Sequence, residues 1–169
     1  MTIESLRDLF EIGLRYAYDC EQQLVKKGLP GMIKGASSPE LKTALEQHLE
    51  ETRTHVTRLE KVFSDLGVKA DTEDNDVVEE MIGAADGMID EIDESPLRDA
   101  ALIVAGNQVE HYEMAVYGSL VAFAEQLDLG DIVTTLQTTL QEEKAADAKL
   151  TQIGESAVNP RAAGERKAA

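Results

Sequence analysis

The chain has 169 residues, of which 33 are acidic and 16 basic, giving a net charge of −17. That length fits one domain with a sizeable core, and that charge repels nucleic-acid backbones and anionic lipid, so neither is an expected partner. A single cysteine excludes an internal disulfide and any multi-cysteine zinc or iron–sulfur site.

Met1-Thr2-Ile3-Glu4-Ser5 lacks the basic region and apolar run of a secretory leader. No apolar run approaches the ~18 residues of a membrane span, so a cytoplasmic location is expected. Four prolines, no tryptophan and abundant Ala, Leu, Glu and Gln are helix-forming material. No alternating Val/Thr run is bounded by turns, so the expected class is all-α.

The first helix starts near Glu4, with Leu6, Phe10, Leu14, Ala17 and Leu24 on its apolar face. Gly28, Pro30 and Gly31 predict a bend or stop near Lys27, with a second short turn through Ile33. Ser38-Pro39 opens the second helix as cap and first-turn proline, and Gly67 ends it. Residues 68–95 form a long acidic connection, within which Val77, Val78, Met81, Ile82, Ala85, Met88, Ile89 and Ile92 recur at helical spacing. Pro96 opens a third long helix to about Leu127, and the fourth follows Gly130. From Asn159-Pro160 onward the composition predicts a flexible tail.

Two helices, a long crossover carrying an additional helix and two more helices describe a ferritin-like four-helix bundle. The domain reading is residues 1–154 for the bundle and 155–169 for the tail.

Polar residues on the expected apolar seams carry the functional information. At 100° per residue from Leu41, His48 falls at about 340° and His55 at about 320°, inside the stripe, with Glu51 at its edge near 280°. From Ile103, Glu110 falls at about 340° and Glu113 at about 280°. From Ile132, Glu143 lies near 20° and Asp147 near 60°. Glu21 shares the face of Leu14 and Ala17. Each main helix thus aims a carboxylate at the interior, near its middle.

Four buried carboxylates would cost several kcal/mol each without compensation. Two divalent cations relieve all of them, and iron or manganese accepts carboxylate and imidazole together. The halves also echo each other: Glu21 pairs with Glu110, and Glu50-Glu51 with Glu142-Glu143, as a two-metal site between helix pairs would produce. The candidate ligands are Glu21, His48, Glu51, Glu110, Glu113, Glu143 and Asp147, with His55 competing with His48. Iron is the first expectation and manganese the second.

The segments Tyr18–Leu24, His48–Thr52, Val109–Glu113 with Tyr117-Gly118, and Glu142–Asp147 resemble the YciF/YciE-type ferritin-like proteins. The resemblance spans about residues 3–155 and implies a dimer-forming helical bundle, bacterial stress responses and a di-metal centre. More distantly, Glu110-x-x-Glu113 is similar to the paired glutamates of rubrerythrins, which reduce peroxide at a di-iron site. Thr54 and Ala146 stand where a Glu-x-x-His motif would place histidine, and no rubredoxin-type cysteine module is present, so electrons must come from elsewhere. The functional expectation is peroxide- or O2-linked redox or iron oxidation. The alternatives are an iron-storage subunit and a non-enzymatic scaffold with a structural or vestigial metal site. Cys20 reads as packing, His111 as an interhelical or subunit contact, and Tyr117 as a core tyrosine or a redox-active neighbour of the metals.

Overall fold

The computed structural model describes residues 3–165. Its helices are α1 (Leu6–Gln23), α2 (Leu29–Gly35), α3 (Pro39–Asp65), α4 (Asp76–Glu91), α5 (Pro96–Gln126), α6 (Gly130–Ile153) and α7 (Asn159–Glu165). No strand occurs among the described residues, and none of their helices is long and apolar enough to cross a membrane. The four long helices close a ring in which α1 and α6 each pack against α3 and α5. The additional helix α4 lies on the crossover and packs against α5, with further contacts to α1 and α2. This is the ferritin-like bundle that the connectivity predicts.

Local chemistry sets the helix starts. Ser38 and Ser95 accept hydrogen bonds from the amides of Leu41 and Arg98, and Pro39 and Pro96 occupy the first turns. Gly67 stops α3 at φ +70°, a conformation glycine adopts without steric cost. Two buried side chains fasten the connections. Asp99 on α5 accepts from the Ser37 amide at 2.6 Å, the Ser37 hydroxyl at 2.6 Å and the Ser38 amide at 2.9 Å. Asn75 caps α4, donates to the Tyr16 carbonyl at 3.1 Å and the Tyr112 hydroxyl at 2.8 Å, and so ties the crossover to α1 and α5.

The two expected chain breaks are bridged by π-helical turns, at Leu24–Gly28 and Gly154–Val158. In each, the residue before a proline donates its amide five residues back: Leu29 to Leu24, Asn159 to Gly154. The longer loop changes the local bonding register where Pro30 and Pro160 lack an amide, so the helix passes the proline. The first helix therefore continues to Gly35 rather than ending near Lys27. The predicted tail likewise differs: residues 155–165 are helical and Val158 is buried, while the part of the tail beyond Glu165 lies outside the described residues.

The interior has two apolar blocks. One joins Phe10 and Leu14 of α1, Leu59 and Phe63 of α3, Leu120 of α5 and Leu136 of α6. The other joins Leu24, Leu41, Leu45, Leu102 and Leu150, with Val78 and Ile82 of α4. Late residues of α1 and α6 thus share a block with early residues of α3 and α5. So α3 and α5 run parallel to each other and antiparallel to α1 and α6. The mid-helix polar residues of all four fall into the layer between the blocks.

Candidate metal centre

That layer contains Glu21 from α1, His48, Thr52 and His55 from α3, Glu110 and Glu113 from α5, and Thr139 and Glu143 from α6, all buried. Two groups could hold a cation: His48, Glu110, Glu113 and Glu143, and Glu21, His55 and Glu143. Within each, the candidate ligand atoms lie within 4.8 Å of one another. Glu143 belongs to both and joins them.

His48 Nε2 lies 3.1 Å from Glu110 and 3.8 Å from Glu143. His55 Nδ1 lies 2.9 Å from Glu143 and 3.5 Å from Glu21. Each histidine turns its other nitrogen to a peripheral carboxylate. His48 Nδ1 is 3.5 Å from Glu51, and His55 Nε2 is 2.9 Å from Glu142. Arg58 grips Glu142 through both of its terminal nitrogens, and Thr139 accepts from the same guanidinium at 3.3 Å. Glu142 thus holds His55 by its outer nitrogen and leaves Nδ1 facing inward, the arrangement that orients histidines in metal sites.

Two further side chains touch the carboxylates. The buried Tyr117 hydroxyl donates to Glu21, and Cys20 Sγ lies 3.6 Å from Glu113 Oε1. These contacts leave much unsatisfied. Glu21 Oε2, Glu110 Oε2, Glu113 Oε2 and both oxygens of Glu143 are buried without a hydrogen-bond partner. So is His55 Nδ1, although Glu143 Oε1 is 2.9 Å away: the two atoms are close but not aligned as donor and acceptor.

The electrostatics record the same conflict. Burial raises the Glu110 carboxyl to about 7 against the opposing pull of His48. Burial lifts Glu113 well above the carboxylate range, and Glu143, Glu21 and Glu110 push the same way. Glu21 is raised by burial despite the opposing pull of His55 3.5 Å away. Burial disfavours the imidazolium of His55, yet Glu143 and Glu21 overcome it and carry His55 to about 11. His48 is likewise raised well above its ordinary value, by Glu110 and Glu51 against burial. With all four carboxylates ionised, the layer would hold more negative charge than its two imidazoles balance. Divalent cations in the two groups would supply the missing charge and engage the unpaired atoms, so these residues fit a pair of metal ions.

Residues 5–163 match the family described as DUF892, a domain of unknown function. The chain belongs to the DUF892 family. It is 37% identical over 163 residues to protein YciF of Escherichia coli K12, covering 96% of this chain and 98% of that one. The crystal structure of the E. coli stress protein YciF superposes with a TM-score of 0.88 at 35% identity, over 93% of this chain and 99% of that one. YcfI from Rhodopseudomonas palustris superposes with a TM-score of 0.85 at 43% identity, over 88% and 94% of the two chains.

In this DUF892 chain the structure gathers Glu21, His48, Glu110, Glu113 and Glu143 of the expected residues, and the two histidines set in competition both belong, His55 in the group with Glu21. Glu51 stands at the rim, its side chain 51% exposed, and reaches only the outer nitrogen of His48. Asp147 is partly exposed and lies 3.2 Å from His111, an interhelical contact between α6 and α5. Thr52, not Glu51, occupies the inward position between the two histidines and donates to the His48 carbonyl. Sequence reasoning missed the Arg58–Glu142 clamp. Its partners sit 84 residues apart on different helices, and no spacing along one helix pairs them.

Proposed function

We propose that this protein is a di-metal carboxylate protein that binds two ions, iron first and manganese second. Glu21, His55 and Glu143 would hold one, and His48, Glu110, Glu113 and Glu143 the other. Glu51 and Asp147 are peripheral carboxylates of the same centre. The observation that carries this reading is the set of five buried carboxylate oxygens left without partners between two apolar blocks. A native interior rarely leaves such atoms unpaired without an ion, water or functional reason.

Redox-active ions held there would supply electron transfer to or from peroxide or dioxygen, or oxidise iron. The chain's own groups hold and shield the centre. Tyr117 orients Glu21, the Arg58–Glu142 pair orients His55, and the apolar blocks cover the layer on either side. E. coli YciF is described as a stress protein, which supports a stress-protective role here. We place the protein in the cytoplasm as a homodimer that receives electrons from a separate donor.

Elemental analysis of protein isolated from its native host, with peroxide consumption by the purified protein, tests the reading. About two transition-metal ions per chain and peroxide turnover that chelation abolishes are expected. A metal-free protein whose stability ignores added Fe(II) and Mn(II) would refute it.

A further inference from the structure

The seam between α3 and α6 treats the two candidate ion positions differently. At the level of His48 it opens into a cleft of about 190 Å³, enough for several waters. Its walls are Ala44, Leu45, Gln47 and Glu51 on α3 and Ala145, Ala146, Lys149 and Leu150 on α6, and His48 and Glu110 are exposed to it. Glu21, His55, Glu113 and Glu143 do not line it. About two helical turns along, at the level of His55, the seam is filled instead: Arg58 crosses from α3 to bond Glu142 and Thr139 on α6. The side-chain exposures follow this difference, 8% for His48 against 0% for His55.

The cause is side-chain size. Antiparallel helices separated at bundle distance leave a gap where the facing residues are alanines, and close it where a long guanidinium lies across. Alanines that leave the room, the polar Gln47, Glu51 and Lys149, and a floor of imidazole and carboxylate suit the opening to a hydrated cation.

We propose that the α3–α6 cleft is the entry route for divalent cations, so that the His48–Glu110 position fills and exchanges first and the His55–Glu21 position is reached through it. This rests on the di-metal reading. Lys149 at the mouth opposes cation entry, and Glu51 beside it favours entry.

Uptake of Co(II), whose absorption reports nitrogen and oxygen coordination, tests the route on the full chain by stopped flow. Ala146→Leu fills the cleft without replacing a candidate ligand. It is expected to slow Co(II) uptake at least about tenfold, with the final stoichiometry unchanged, because a packed seam closes the cleft that reaches His48 and Glu110. Lys149→Gln removes the cation at the mouth. It is expected to speed uptake by about threefold at low ionic strength, an advantage that high salt erases. Equilibrium binding of two Co(II) ions with wild-type rates in both variants would overturn the route and leave the metal centre standing. No Co(II) binding to the wild-type chain after prolonged incubation would overturn the metal centre, and the route with it. If Ala146→Leu fails to fold, the Lys149→Gln rate decides alone: acceleration supports the route, and an unchanged rate overturns it.

Discussion

Glu110→Gln in metal-free protein separates a strained binding site from an ordinary core. The Glu110 carboxyl titrates near 7 in the folded chain against 4.5 for the free group. Below the free value it is protonated in both states, so its titration costs no stability. Between those values the unfolded chain loses its proton first, and stability falls as pH rises. Above about 7 the full penalty applies, and a difference of about 2.5 pKa units amounts to about 3 kcal/mol. Glutamine mimics the protonated acid at every pH. Stripped of metal, the variant should therefore exceed the wild type by about 3 kcal/mol at pH 8, a melting temperature higher by about 6–12 °C. At pH 5 the gap should shrink below about 1 kcal/mol. With Mn(II) or Fe(II) present the order should reverse, because glutamine cannot supply the anionic ligand. Calorimetric or circular-dichroism melts of both proteins, with and without metal, measure all of this. A metal-free variant no more stable than wild type at pH 8, or a gap independent of pH, would refute the reasoning.

Four further outcomes follow from the structure. Since His48, His55, Glu110 and Glu113 all hold protons more tightly than free groups do, Mn(II) uptake should release protons and strengthen as pH rises from about 6 to 8; pH-stat titration with no proton release would contradict it. Metal at about 100 times its dissociation constant should add about 2.7 kcal/mol, and chelation should remove it. Arg58→Ala frees Glu142 and with it the outer nitrogen of His55, so metal affinity should fall about 10- to 100-fold while folding changes by under ~1 kcal/mol, Arg58 being partly exposed; isothermal titration checks both ions. Asp99→Ala strands the amides of Ser37 and Ser38 and should cost about 2–4 kcal/mol in urea unfolding while leaving metal stoichiometry unchanged.

Helix positions were legible because caps, prolines and periodic apolar residues are local signals. Ser38-Pro39 and Ser95-Pro96 act within one turn, and the α3–α5 crossover declares itself through its length. Glu21, His48, Glu110 and Glu143 were legible as well, since each falls well inside its helix's apolar stripe. The prolines misled where a π turn intervened, as at Leu29-Pro30 and Asn159-Pro160, because residue spacing alone does not reveal which carbonyl an amide will choose.

Glu51 and Glu113 show where sequence stops. Both lie at about 280° from their seam references, and one helical wheel treats them alike. In the folded chain Glu51 is half exposed and Glu113 is buried. The difference comes from neighbours: Glu113 meets Cys20 of α1 and lies among the other buried carboxylates, whereas Glu51 stands on the open cleft between α3 and α6. The same holds for the pairing of Arg58 with Glu142, and for the α3–α6 seam being open at His48 and filled at His55. Sequence by itself determined which side chains face inward along each helix, because that depends on 3.6-residue periodicity. Tertiary structure alone decided how far inward extends, since burial is set by what the neighbouring helices place opposite each residue.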